Sequence, residues 1–153
     1  MKAHLIVSAL ALAATAVVSS AHALQINNHG ADFQPYNAGQ AQDIDYLASG
    51  VRTTASGSRS VIASIDHNPS STGYRIDIDG THSGAQTTSC TVYSYRYDGF
   101  QLAARSVSAS SVSGTWTRIA YLNALESPQW SYFSVVCTIP GNGAGVLHGV
   151  GIL

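Results

Sequence analysis

At 153 residues, with 7 basic and 8 acidic residues and a formal net charge of −1, the chain has material for one domain with a two-layer core and too little for two independent ones. Its arginines stand one at a time along the sequence and its only lysine is Lys2, so no basic stripe exists to neutralise successive phosphates, and nucleic-acid binding is excluded. Charged residues make up only 10% of the chain while Ser, Thr and Gly recur throughout, which gives a surface wetted by hydroxyls and backbone rather than by ions.

The chain opens with Lys2, an apolar run from Leu5 to Val18, and Ala21-His22-Ala23. That order is the pattern of a secretory signal peptide over 1–23, with a mature chain starting at Leu24 and working in the periplasm or outside the cell. The run is too short to span a bilayer stably and none recurs before Leu153, so no membrane span is expected in the mature chain. Residues 24–49, Asn-rich at first and carrying Pro35, read as an irregular N-terminal arm with a brief helical turn near Ala41 to Leu47.

From Gly50 to Leu153 short β-branched and aromatic runs alternate with turn residues at the spacing of a β-sandwich. Strands are expected at Val51 to Thr54, Arg59 to Asp66, Tyr74 to Asp79, Ser89 to Tyr97, Gln101 to Ser108, Thr115 to Leu122, Ser131 to Ile139 and Gly145 to Leu153. Asp98-Gly99 and Pro140-Gly141-Asn142-Gly143 are hairpin signals, and His67-Asn68-Pro69 opens a loop. Hairpins imply antiparallel pairing, so the expected fold is an all-β antiparallel sandwich, with a jelly-roll as one variant. Alternation puts Val61, Ala63 and Ile65 on one face of their strand, and Ile76 and Ile78 opposite Arg75, Asp77 and Asp79. Around Phe133, Val135, Cys137 and Ile139 the residues Tyr132 and Val136 are apolar as well, which predicts a central strand covered on both faces.

Cys90 and Cys137 are the two cysteines, and in an oxidising compartment an isolated pair is read as one disulfide. Closing a loop of about 48 residues is worth roughly 4 kcal/mol in the chain-entropy picture. Asp77-Ile78-Asp79-Gly80 puts two carboxylates on one strand face before a turn, a candidate calcium site; the competing reading is a solvated face whose carboxylates meet Arg75 or Arg96. Asp43-Ile44-Asp45 repeats the pattern. No histidine stands three or four residues from another, so zinc is not expected, although His67 and His82 flank turns and could meet Asp66, Asp77 or Asp79 across a hairpin as an acid–base pair. Tyr93, Tyr95 and Tyr97 share a strand face at about 7 Å intervals. With Trp116 and Trp130 they form a candidate platform for stacking on sugar rings, against which stands an ordinary core-edge role.

Read in order, Gln34-Pro35-Tyr36-Asn37, Gly50-Val51-Arg52, Arg59-Ser60-Val61-Ile62, Cys90-Thr91-Val92-Tyr93 and Cys137-Thr138-Ile139-Pro140-Gly141 resemble a family of small exported bacterial proteins with no assigned activity. The resemblance implies a cysteine just before the Gln-Pro element and another just after the Val-Ile element, where this chain has Phe33 and Ala63. It implies the later pair, Cys90 and Cys137, and brings no catalytic residue, cofactor or ligand.

Three functions are weighed. The leading one is a noncatalytic exported structural or protein-interaction domain, because no convergent polar site is legible. The alternative is a carbohydrate or cell-envelope binding module using the tyrosine face, with calcium at Asp77 and Asp79 as its only conceivable cofactor. A hydrolase built on His67 or His82 with an aspartate ranks last.

Overall fold

The computed structural model describes residues 25–68 and 70–153. The expected signal peptide over 1–23 and Leu24 lie outside the described residues, as does Pro69 of the loop expected after Asp66. The described strands are β1 (Ile26–His29), β2 (Gln34–Pro35), β3 (Ile44–Leu47), β4 (Gly50–Thr53), β5 (Arg59–Ile65), β6 (Gly73–Tyr95), β7 (Gln101–Asn123), β8 (Tyr132–Ile139) and β9 (Gly145–Ile152). Their pairings are antiparallel.

Four of the expected strands merge into two. Strands β6 and β7 run 23 residues each, which if straight would reach about 75 Å, far beyond a domain of this size. The ribbon therefore bends. Its register slips between His82 and Gln86 and between Gln86 and Thr88, and Ser111 and Gly114 on β7 take positive φ of 52° and 82°. Such bulges let a strand leave one sheet and enter another. His82 pins the bend from inside, Nδ1 against the Val112 carbonyl at 3.0 Å and Nε2 against the Thr88 hydroxyl at 2.8 Å.

Beyond the bend the ribbon builds a front layer with the order β7, β6, β8, β5, β2; before it, a back layer with the order β7, β6, β9, then β1 and β4 side by side along β9, then β3. Inward residues of both layers form one core, among them Val61, Ile76, Ile78, Val92, Val135 and Leu147. Cys90 and Cys137 are directly opposed on β6 and β8, and their disulfide is formed and buried.

Several expectations change. The N-terminal arm is not irregular: β1 pairs with β9, β2 with β5 and β3 with β4, and its helical turn is a 3-10 segment at Ala38–Asp43. Apolar hooks explain this, since Phe33 and Ile44 sink into the core, while Asp43 and Asp45 are held by Arg59 and Arg52 at 2.6 and 2.7 Å. Continuing the β2–β5 register by one residue sets Phe33 opposite Ala63, both buried. The turn at 140–143 forms, with Asn142 and Gly143 at positive φ, yet it joins β8 in one layer to β9 in the other and makes no hairpin. Strand β8 is central, as expected, but only its inner face is covered; Tyr132 lies on an open outer face.

Candidate functional site

The outer face of the front layer is laid out by register. Ser60, Thr138, Ser89 and Ser108 form one row across four strands; Ile62, Val136, Thr91 and Ser106 the next; then Ser64, Ser134, Tyr93 and Ala104. Hydroxyls in these rows satisfy one another, Ser60 with Thr138 at 2.9 Å and Thr91 with Ser106 at 2.9 Å. Toward the end of the layer the rows become aromatic, and Tyr95 stands opposite Tyr132.

Tyr93 and Tyr95 do lie on this outer face, but their rings stack on each other, with centroids 5.9 Å apart and planes 21° apart. Standing side chains on alternate residues of a strand are close enough to pack together, so their π-faces are largely spent on one another. Burial pushes the Tyr95 phenol pKa up, and the neighbouring Tyr93 and Tyr36 hydroxyls add to the shift.

Beyond Tyr132 the face opens into a groove of about 890 Å³, bounded by Tyr97, Trp130 and Tyr132, with Ile65, His67 and Phe133 deeper and Ser64, Asp66, Asn68, Gln129 and Ser131 supplying polar groups. Tyr97 and Trp130 meet edge to face at 6.1 Å and 71°, and remain 76% and 50% exposed. Three connections carry these residues, and each is tied down. In the β6–β7 hairpin, Gly99 at φ 82° permits the turn closed by Arg96 and Phe100 at 2.8 Å. Asp98 there grips the Arg96 guanidinium at 3.0 and 3.1 Å, and that hydrogen bond, above all, brings the Asp98 carboxyl down to about 2. The turn leading to Trp130 is fixed by the Ser127 hydroxyl donating to the Asn123 carbonyl, by that of Ser131 donating to the Pro128 carbonyl, both at 2.7 Å, and by a Glu126–Arg105 ion pair. After β5, the Tyr74 hydroxyl donates to the Asn68 carbonyl at 2.8 Å and accepts from the Ser70 N–H at 2.9 Å. A groove held this way loses little conformational freedom when filled.

His67 packs on Phe133 at 4.3 Å and against the edge of Tyr74 at 5.1 Å. Burial lowers its pKa from the ordinary 6.5, a shift only partly opposed by the Ile65 carbonyl and Asp66. His82 is spoken for by Val112 and Thr88 at the ribbon bend. Among the described residues neither imidazole hydrogen-bonds a carboxylate, so the minimum the hydrolase reading requires is not met.

Trp116 leaves the platform. It is 4% exposed because its parity on β7 is inward, and its indole lies over Gly80, where a Cβ would come within 2.2 Å of the ring. Among the described residues its Nε1 has no hydrogen-bond partner. Asp77 and Asp79 share an outer face as expected, but Asp77 is paired with Arg75 at 2.8 Å and Asp79 accepts from the Thr117 hydroxyl at 2.5 Å. Among the described residues no three metal-ligating side chains gather around one point.

Sequence reasoning missed Tyr132, Asn68 and Gln129, and weighed Asp66 only as an acid–base partner for a histidine. A signal for Tyr132 was available. If the two cysteines oppose each other across an antiparallel pair, counting outward from Cys90 and Cys137 puts Tyr95 opposite Tyr132.

No protein-family model matches the chain, and no curated protein sequence does. Solved structures do. The chain is similar to a xylan-binding module of CBM15 (TM-score 0.57, 14% identity, 86% of this chain and 96% of that one). It is similar also to the CBM36-1 domain of a multidomain xylanase from the hindgut metagenome of Trinervitermes trinervoides (0.54, 9%, 84% and 96%). A third is a family 35 carbohydrate-binding module from Clostridium thermocellum (0.53, 14%, 84% and 97%). At such identities the likeness is one of fold, and it agrees with the antiparallel sandwich read from the sequence. The leading functional expectation, a structural or protein-interaction domain without a convergent site, is corrected: the groove is a convergent site, and these chains of the same fold are carbohydrate-binding modules.

Proposed function

We propose that the protein is an exported, noncatalytic carbohydrate-binding module, and that the groove at Tyr97, Trp130 and Tyr132 is where it holds its ligand. The observation that carries this is the pairing of exposed aromatic rings with side-chain donors and acceptors in one pre-formed groove. Sugar rings present just such a surface, C–H groups on a face that packs on an aromatic ring and hydroxyls at the rim that bond to Asp, Asn and Gln. The Tyr93–Tyr95 stack extends the same face and acts as a wall beside the ligand. The N-terminal leader supports delivery beyond the cytoplasm, where polysaccharides are met.

The test is a thermal melt of the oxidised mature protein across soluble polysaccharides and cell-wall fragments, since a ligand that binds only the folded state must raise the melting temperature. A saturable rise with one glycan class is expected; no shift with any of them at high concentration would refute the proposal. Running each melt with calcium and with chelator tests the cation at the same time. Asp77 is committed to Arg75, so Asp79 is the carboxylate left for it.

A further inference from the structure

The described arginines are all engaged. Arg52, Arg59, Arg75, Arg96 and Arg105 each hold a carboxylate, and Arg118 binds the Ser108 and Thr117 carbonyls at 2.8 and 2.7 Å. With no lysine among the described residues, none of them brings a free cation to the groove. Among the described residues the one charged side chain lining it is Asp66, and there it has neither an arginine partner nor a hydrogen bond. The Arg96 guanidinium lies 6.0 Å from the Tyr97 ring centroid, and Asp98 neutralises it.

A polymer bearing uronate, sulfate or phosphate groups would bring negative charge toward an uncompensated carboxylate and find no counter-charge. Like charges juxtaposed in a contact repel and select against the partner that bears them. A neutral sugar meets no such penalty, and two adjacent hydroxyls can donate to the two oxygens of one carboxylate. We propose that the groove selects uncharged glycans and rejects polyanionic ones, with Asp66 as the residue that sets the choice. This rests on the carbohydrate-binding reading.

The test is affinity gel electrophoresis of the oxidised mature protein in gels containing arabinoxylan, galactomannan, polygalacturonate, alginate or chitosan, repeated with Asp66→Lys. Retardation is expected with at least one neutral polymer, and by at least about tenfold less with polygalacturonate and alginate. The neutral retardation should be insensitive to added salt. Asp66→Lys, at an exposed position, should melt like the parent and gain retardation by polygalacturonate. Equal retardation by neutral and acidic polymers, stronger retardation by chitosan than by either neutral polymer, or no gain in the lysine variant would each overturn the selectivity. Retardation by no polymer would remove the carbohydrate-binding reading beneath it.

Discussion

Replacing the two tryptophans by alanine, one at a time, separates surface from core. A tryptophan offers roughly 150–250 Å², and Trp130 is 50% exposed, so about 100 Å² is left for a sugar ring to cover. At about 25 cal/mol per Å² that is up to about 2.5 kcal/mol, or about 70-fold in Kd. Ordering and desolvation take a share, so Trp130→Ala should weaken glycan binding by about 10- to 70-fold while lowering stability by less than about 1 kcal/mol. Trp116 is 4% exposed. Deleting a buried ring costs about 3–5 kcal/mol, offset in part because its indole N–H has no partner to lose. At about 3–5 °C per kcal/mol for a domain of this size, its melting temperature should fall by about 10 °C or more. Titration calorimetry reads the first quantity and scanning calorimetry the second. Full binding in Trp130→Ala, or an unchanged melting temperature in Trp116→Ala, would refute the assignment of one indole to the groove and the other to the core.

Gly80→Ala should destabilise by about 1–3 kcal/mol, because the new methyl meets the Trp116 ring at 2.2 Å and the Val146 carbonyl at 2.7 Å, whereas Gly84→Ala, with nothing within 4 Å, should be neutral in a denaturant melt. Reducing Cys90–Cys137, which are 47 residues apart, should remove roughly 4 kcal/mol by the loop-entropy account; a melt unchanged by reductant would count against it. The pKa of His67 is below the ordinary 6.5 in the folded state, so the unfolded chain binds more protons between the two values. Its contribution is whole above about pH 6.5 and is lost as pH falls through the folded value, and a His67→Phe variant should lose less stability on acidification than the parent. An identical acid limb in the two proteins would show that His67 is not a source of that slope.

Much of the fold was legible from the sequence because strand periodicity is local. The parity of Val61, Ala63 and Ile65, and of Ile76 and Ile78 against Arg75 and Asp77, needs only alternation and the hydrophobic effect. The hairpin at Asp98-Gly99 follows from which residues accept positive φ, and the disulfide from an isolated pair of cysteines behind an expected export signal. The arm was less legible, since β1 and β2 are too short to show a period and are strands only because β9 and β5 offer them an edge.

The site divides along the same line. Composition fixed which aromatic residues were available, and alternation put Tyr93 and Tyr95 on one face. Whether a ring met solvent or core depended on distant pairing: Gly80 across from Trp116 makes room for an indole inside, while the ribbon bend carries Asn123 back so that the turn after it sets Trp130 against Tyr97. Three connections separated in sequence, after β5, β6 and β7, bring Asp66, Tyr97 and Trp130 to one groove. By itself the sequence determined strands, faces and a cross-link, because these obey short-range rules. Only the tertiary structure decided the groove and its lone carboxylate, because they arise from which strand ends converge once a 23-residue ribbon is folded over on itself.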